Sequence, residues 1–491
     1  MAATIVNDLP KVIQALSPTF GRYRSFHPDL PKVIFISTNS DLSSLKFHIL
    51  THRNLSKEEQ VKKAAAFCAI VVALHAFIPS LNAQTLPLEQ RIFILSKTYA
   101  SLPLQFAHWR DASFKPVQLD SIYRVFLKRG IEADSRKDFG LLMHEFIALL
   151  NNSHSWYHDR TIFGSMLPMG FSWTHLDGGW VVTLSSIEGL QKGDLILKID
   201  GKGIDEWYKE LSKYFGGSNE RARKSRLYSI LAVTLPEQYS LQYQTRDRRV
   251  KEATISRATL KPTNYPLKTE GRWLVKDRLA YIKIPSFNSP EFQNDALELL
   301  RQFKNAPTLI VDVRGNSGGS TPEKLTAALM NKPYRWWAES TPLTFGLFRY
   351  YSEARPNIEL NEYFRYAQLQ WRGEENLPDT GAYSGKLIIL TDGKTGSAAE
   401  DFTVPFKDNG RALIIGETTN GSTGQPYMFG FGDGISIGIG TKRAYMPNGA
   451  EFEGIGIEPD IRVQPVREDF YTERDRVLER AIAEAERLRP Q

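Results

Sequence analysis

Apolar positions repeat with three different periods along the chain. Between Leu86 and about Tyr157 they recur every three or four residues, as Phe139, Leu142, Phe146 and Leu149 do in DSRKDFGLLMHEFIALLNNSHSWYHDR, and this spacing predicts helices. Asp134 or Ser135 stands where that helix needs an N-cap, and Asn151 and Asn152 where it should end, so Ser153 and His154 fall just beyond it. From about Phe163 to Lys261 the pattern shortens to strand-like runs, GWVVTLSS, GDLILKIDGKGI, EQYSLQYQT and VKEATISRA, separated by turn residues. From about Trp273 the runs LAYIKIPSF, PTLIVDVRG, GKLIILTDG and ALIIGETT are apolar throughout, as strands buried on both faces are, and an amphipathic NDALELLRQFKN lies among them. Buried strands alternating with helices predict an α/β layer with a largely parallel sheet.

These periods divide the chain into a helical segment over 84–160, a β-rich domain over 161–265 and an α/β domain over 270–491. An aromatic-rich insertion at about 331–380 runs from Tyr334 through Trp371 and reads as a packed cap. Within the β-rich part, GLQKGDLILKIDGKGIDEWYKELSKYFGG pairs a Gly-Asp turn, a strand, a tight Asp-Gly turn and a helix. That piece resembles the second half of a PDZ domain, a module that binds peptides by adding them to a sheet edge.

Composition narrows the function classes. Hydrophobic residues at 42% and charged residues at 24% describe an ordinary globular protein. The net charge of +7, from 62 basic and 55 acidic residues, forms no long basic block and gives no support to nucleic-acid binding. The single cysteine, Cys68, excludes an internal disulfide framework and a thiolate metal cluster. It lies in VKKAAAFCAIVVALHAFIPSLNAQ, where two lysines, an apolar run, Pro79 and a small-residue site before Gln84 have the layout of a signal peptide over 61–83. With sixty residues ahead of that leader, the expectation is a mis-called extension over 1–60, upstream of a start at Val61. An uncleaved leader would instead anchor the protein to a membrane.

Candidate chemistry begins at Ser397 in KLIILTDGKTGSAAEDF, where a strand-like run passes through a glycine turn into a helix. A serine there reads either as an N-cap, with Glu400 completing a capping box, or as a nucleophile beside amides that point at what it attacks. A second feature, LIVDVRGNSGGS, ends a strand in a loop with Gly315, Gly318 and Gly319, which lets main-chain amides approach a ligand closely. It has neither the Gly-Lys-Ser/Thr ending of a phosphate loop nor dinucleotide spacing. No His-Glu-x-x-His, paired-cysteine or calcium-loop pattern occurs, so no metal and no cofactor is expected.

DVRGNSGG, TGSAAEDF, FKDNGRALIIGETTNGSTGQP and EFEGIGIEPDIRV, in this order, resemble the C-terminal-processing peptidase family, which includes tail-specific proteases and the tricorn core. The resemblance spans about Ser153 to Val463. It implies an α/β catalytic domain with ClpP/crotonase-like layers, an inserted PDZ-like domain and an N-terminal helical segment. It also implies Ser397 as nucleophile, with an oxyanion hole made by the Ala398 amide and that of Gly318 or Gly319. Tail-specific members carry a lysine base where this chain has Ser422, and Lys394 and Lys407 fall off the motif. The tricorn-like branch uses a histidine preceded by a serine, which here is His154 after Ser153, with a supporting glutamate matched by Glu453 or alternatively Glu451. His144, His158 and His175 match no such pattern.

The implied function is a secreted or periplasmic serine endopeptidase acting on peptide or protein substrates. The alternatives from other classes are a ligand carrier on the same scaffold, which the aromatic insertion would suit, and a PDZ adaptor without activity.

Overall fold

The computed structural model describes residues 86–487 apart from 165, 177, 261–266 and 343–374. The expected extension, the leader and the middle of the aromatic insertion therefore lie outside the described residues.

Three helices open the described chain: α1 (Leu88–Gln105), α2 (Leu119–Ile131) and α3 (Arg136–Ala148). Ser135 caps α3, its hydroxyl accepting the Asp138 amide at 3.0 Å. The chain turns at Asn151, whose φ of 46° is a left-handed value that asparagine tolerates. Strand β1 (Trp156–Asp159) follows, inside the stretch whose spacing had predicted helix. Its conformation is set by pairing, since Tyr157 lies opposite Ile437 of a strand almost three hundred residues away, and a four-residue run carries too little periodicity to announce this.

The next module contains β2 (Phe171–Leu176), β3 (Gly179–Ser185), β4 (Leu195–Ile199), α4 (Ile204–Leu211), α5 (Glu220–Thr234), β5 (Gln238–Gln244) and β6 (Val250–Ser256). Its strands pair antiparallel in the order β2-β3-β4-β5-β6. The Asp200-Gly201 turn after β4 has φ of 48° and 74°, the left-handed pair that a tight hairpin demands. Leu227, Ile230 and Leu231 of α5 pack with Phe171, Trp173 and Leu241 in the module's core. Helix α5 lies where the sequence pattern predicts short strands, because its apolar residues are diluted by ERARKS at the start.

The α/β part runs β7 (Glu270–Val275), β8 (Leu279–Lys283), α6 (Pro290–Gln302), β9 (Thr308–Asp312), α7 (Glu323–Leu329), β10 (Lys386–Thr391), α8 (Ala398–Asp408), β11 (Ala412–Gly416), β12 (Pro426–Gly432), β13 (Ile435–Gly440), β14 (Ile461–Arg462) and α9 (Arg476–Arg487). The main sheet has the order β14-β11-β10-β9-β8-β7. All its pairings are parallel except that of the edge strand β7. Alternate residues of each strand serve opposite layers, as pleating requires. Leu309 and Val311 face Leu300, Leu325 and Phe402 of α6, α7 and α8, whereas Ile310 faces Val477 and Ala481 of α9. Strands β12 and β13 leave this sheet to pair with β1, and their Ile435, Ile437 and Ile439 complete the core of the three N-terminal helices. In such a layer the carboxyl ends of parallel strands are where ligands bind, and the loops after β9, β10 and β11 meet there.

Candidate active site

Ser397 occupies the turn between β10 and α8 at φ 52° and ψ −124°. Such a conformation costs a non-glycine residue on the order of 1–3 kcal/mol and persists only where its surroundings fix it. Asp392 fixes one side, its carboxylate accepting the amides of Gly315, Lys394 and Thr395 at 2.9–3.0 Å. Glu400, one turn into α8, fixes the other. It accepts the amides of Ser397 (3.1 Å), Gly421 (2.7 Å) and Ser422 (3.1 Å) and the Thr419 hydroxyl. The local capping residue and the exposed hydroxyl are thus both real, because the Glu400 carboxylate caps the backbone of Ser397 and leaves its side chain free for another partner.

That partner is His154. Its Nε2 lies 3.0 Å from the Ser397 hydroxyl across 243 residues of sequence, and its Nδ1 lies 3.0 Å from the hydroxyl of Ser422. Ser422 donates to Glu453 Oε1 at 2.7 Å. The hydroxyl between imidazole and carboxylate therefore belongs to the residue at the position of the missing lysine. Ser153 sits one step away: its hydroxyl accepts the Ser218 amide at 3.0 Å, and its own amide donates to the Ser218 hydroxyl at 3.0 Å. Ser218 in turn donates to Glu453 Oε1 at 2.6 Å. Glu451, the alternative glutamate, points elsewhere, into Arg110 (2.8 Å) and Arg443 (3.2 Å).

The remaining candidates lie away from the site. His144 packs edge-on against Tyr157 and Phe163, His158 is exposed against Phe163, and His175 meets Lys224 at 3.3 Å. Lys394 is exposed, and Lys407 pairs with Asp460.

Above Ser397 the glycine loop supplies main-chain amides. Gly318 faces Ser397 so closely that a Cβ there would lie 2.6 Å from Ser397 Cβ and 2.9 Å from the Ala398 amide nitrogen. Its own amide, however, is taken by Asn316 Oδ1 at 2.9 Å. The next amide is that of Gly319, where φ is 137° and a Cβ would strike the Phe287 carbonyl carbon at 2.1 Å. Among the described residues, neither the Gly319 nor the Ala398 amide has an acceptor within the protein. Asn316 is fully buried and works in three directions, through Gly318, the Ile284 carbonyl (3.1 Å) and the Gly396 amide (3.0 Å). It locks the glycine loop to the Ser397 turn, a role with no signal in the sequence beyond its place in RGNSGG.

Burial sets the electrostatics. It pushes the His154 pKa down to about 3, with neighbouring His108, Arg226 and Lys442 adding to the effect. The ring is accordingly neutral at physiological pH and keeps a lone pair for a proton. Burial also raises Glu453, against the pull of His108, Ser218, Ser422 and Arg443, and pushes Glu400 up to about 8 against the donors that hold it. Among the described residues no group of histidine, cysteine and carboxylate side chains is arranged to hold a metal ion.

Residues 278–463 match the model of peptidase family S41. The chloroplastic C-terminal processing peptidase of Tetradesmus obliquus is 25% identical over 417 residues, covering 79% of this chain and 80% of its own. Carboxyl-terminal-processing peptidase 2 of Arabidopsis thaliana, also chloroplastic, is 27% identical over 222 residues, covering 44% of this chain. The match there spans only 38% of the Arabidopsis protein's length. Among solved structures, mature CPAF complexed with lactacystin shares the fold at a TM-score of 0.62 and 16% identity, covering 81% of this chain and 99% of that one. Residues 278–463 thus carry a peptidase family S41 domain, which supports a serine-type peptidase.

Proposed function

We propose that the protein is an endopeptidase that cleaves peptide bonds through an acyl-enzyme on Ser397, with His154 as general base. The observation that carries this reading is the 3.0 Å contact between His154 Nε2 and the Ser397 hydroxyl, backed on the ring's far side by Ser422 and Glu453. The tautomer follows from the hydrogen bonds. Ser422 commits its proton to Glu453, so it accepts from Nδ1–H, and Nε2 is left with the lone pair. As Ser397 attacks the substrate carbonyl, Nε2 takes the serine proton and later gives it to the leaving amine. The imidazolium charge that appears in between is stabilised through Ser422 by the Glu453 carboxylate. The oxyanion falls to the unengaged amides of Gly319 and Ala398, donors fixed in place before charge develops. Water then releases the acyl group by the same steps in reverse.

The functional units follow the sequence divisions: a helical segment over 84–160, a PDZ-like domain over 161–265 that gates or docks substrate tails, and the catalytic domain over 270–491. Location outside the cytoplasm, secreted or periplasmic, rests on the leader over 61–83, and among the described residues no helix is long and apolar enough to cross a membrane. N-terminal sequencing of the exported protein should find a mature chain that begins near Gln84. A start far upstream of Val61 would remove the basis for that location.

The activity is tested with a serine-directed fluorophosphonate. The wild type should be labelled, and Ser397→Ala and His154→Ala should lose the label. A ligand carrier or adaptor on this scaffold would leave the wild type unlabelled, and equal labelling of all three proteins would remove Ser397 as the nucleophile.

A further inference from the structure

The turn that enters α5 belongs to the inserted sheet module, yet its side chains end in the catalytic loops. Ser218 donates to Glu453 at 2.6 Å, lies 3.1 Å from the Ser422 hydroxyl, and exchanges two amide-to-hydroxyl bonds with Ser153, the residue before the histidine. Asn219 caps α5 through the Ala222 amide (2.9 Å) and reaches back to the Asn420 carbonyl at 2.6 Å. Arg221 donates to the carbonyls of Thr419 (2.7 Å) and Ile455 (2.9 Å). Arg226, one turn further, holds the Ser153 carbonyl at 2.6 Å. The backbones meet so closely that a Cβ on Gly454 would lie 2.8 Å from the Ser218 carbonyl oxygen, and Gly454 adopts a φ of 81°. One turn of the module thus touches the loop that carries the base, the loop that carries Ser422 and the loop that carries Glu453.

We infer that Ser218 is a positioning residue of the catalytic relay, and that the inserted module, by seating Ser218 on Glu453 and Ser422, is a condition of turnover as well as a neighbour of the catalytic domain. The chemistry of the contact supports this. Glu453 Oε1 receives both Ser422 and Ser218, while Oε2 is buried with no hydrogen-bond partner among the described residues. All the short hydrogen bonds that favour the ionised carboxylate therefore converge on one oxygen, and the module supplies one of them. Without it Glu453 could turn toward its free oxygen, and Ser422 would lose the acceptor that directs its lone pair at His154. The inference rests on the proposed function, in which Ser397 is the nucleophile and His154 its base.

The test measures hydrolysis of a fluorescent casein by the full-length protein, with Ser397→Ala as the reference. Ser218→Ala should lower kcat about 10- to 100-fold, as loss of a hydrogen bond to a charged group does, with KM within about twofold of wild type. Removing a donor makes the carboxylate harder to ionise, so the acid limb of the kcat/KM profile should move to higher pH. The titratable and charged groups that also face Glu453 are His108 after α1, Arg443 after β13 and, at longer range, Glu400 on α8, and all three are unchanged in the variant. Ser218→Thr, which keeps the hydroxyl, should recover most of kcat and return the acid limb. Asn219→Ala controls for docking alone, because it loosens the same turn without touching Glu453. If Ser218→Ala matches wild type in kcat and acid limb while Ser397→Ala is inactive, this inference fails and the catalytic reading stands. Equal kcat losses in Ser218→Ala and Asn219→Ala with an unmoved acid limb also overturn it. If Ser397→Ala is itself active, both readings fail.

Discussion

Replacing Ser397 or His154 by alanine is expected to lower kcat on a peptide substrate by a factor on the order of 10⁴ to 10⁶, and the double variant should be no worse than either single one. Non-additivity is the informative part. Ser397 without a base is an ordinary alcohol, and His154, neutral in the resting site with its pKa pushed down to about 3 by burial, has no proton to take once the serine is gone. The two therefore act as one unit joined by a single 3.0 Å contact. KM should change little, because neither alanine removes a group that binds substrate in the ground state. Residual hydrolysis above the uncatalysed rate should persist in all three variants, supplied by the Gly319 and Ala398 amides, which the substitutions leave in place. Circular dichroism and thermal melts close to wild type would assign the loss to chemistry. Losses that multiply in the double variant would mean that the two side chains act independently, and the proposed proton transfer would have to be abandoned.

The sequence carries the nucleophile turn more openly than the relay behind it, and the reason is distance along the chain. Ser397, Glu400 and the glycine loop announce themselves locally, because a strand end, a turn and a capping box are written in consecutive residues. Ser422 was visible only as the place where a lysine is missing. Its role depends on His154 and Glu453 arriving from opposite sides, and no local pattern specifies that. Ser153 was the natural candidate for the relay because it adjoins the histidine. Adjacent residues past a helix end point in different directions, however, and its hydroxyl meets the Ser218 amide instead. The strand at Trp156–Asp159 and helix α5 escaped for a related reason, since tertiary pairing with Ile437 and packing under Phe171 decide them over weak local periodicity. The long apolar strands of the main sheet were the clearest part, as burial on both faces leaves an unbroken apolar run.

Glu400→Ala should be the most destabilising of the single changes near the site. The carboxylate is fully buried and serves the amides of Ser397, Gly421 and Ser422 together with the Thr419 hydroxyl. Alanine would strand the Gly421 and Ser422 amides and the Thr419 hydroxyl in a buried layer beside Ala399 and Phe402, and would leave the Ser397 amide only the Ser422 carbonyl at 3.1 Å. Each orphaned buried donor costs about 1–3 kcal/mol, and with partial relaxation the sum is on the order of 3–5 kcal/mol. The turn strained at Ser397 would be the first to relax, so kcat should fall together with the melting temperature. Glu400→Gln separates the two effects. The amide keeps one accepting oxygen but sets its NH₂ against two of the backbone N–H groups, so it should recover only part of the stability. The pH dependence has a definite sign. A carboxyl raised by burial to about 8 in the folded state, against about 4.3 when unfolded, binds its proton more tightly folded than unfolded. It therefore lowers stability progressively as pH rises between those two values, and it has no such effect below the lower one. Glu400→Gln should flatten that part of the stability profile, which denaturant unfolding from pH 5 to 8 would measure. A Glu400→Ala protein with wild-type melting temperature and kcat would show that the nucleophile turn is held by something other than this carboxylate.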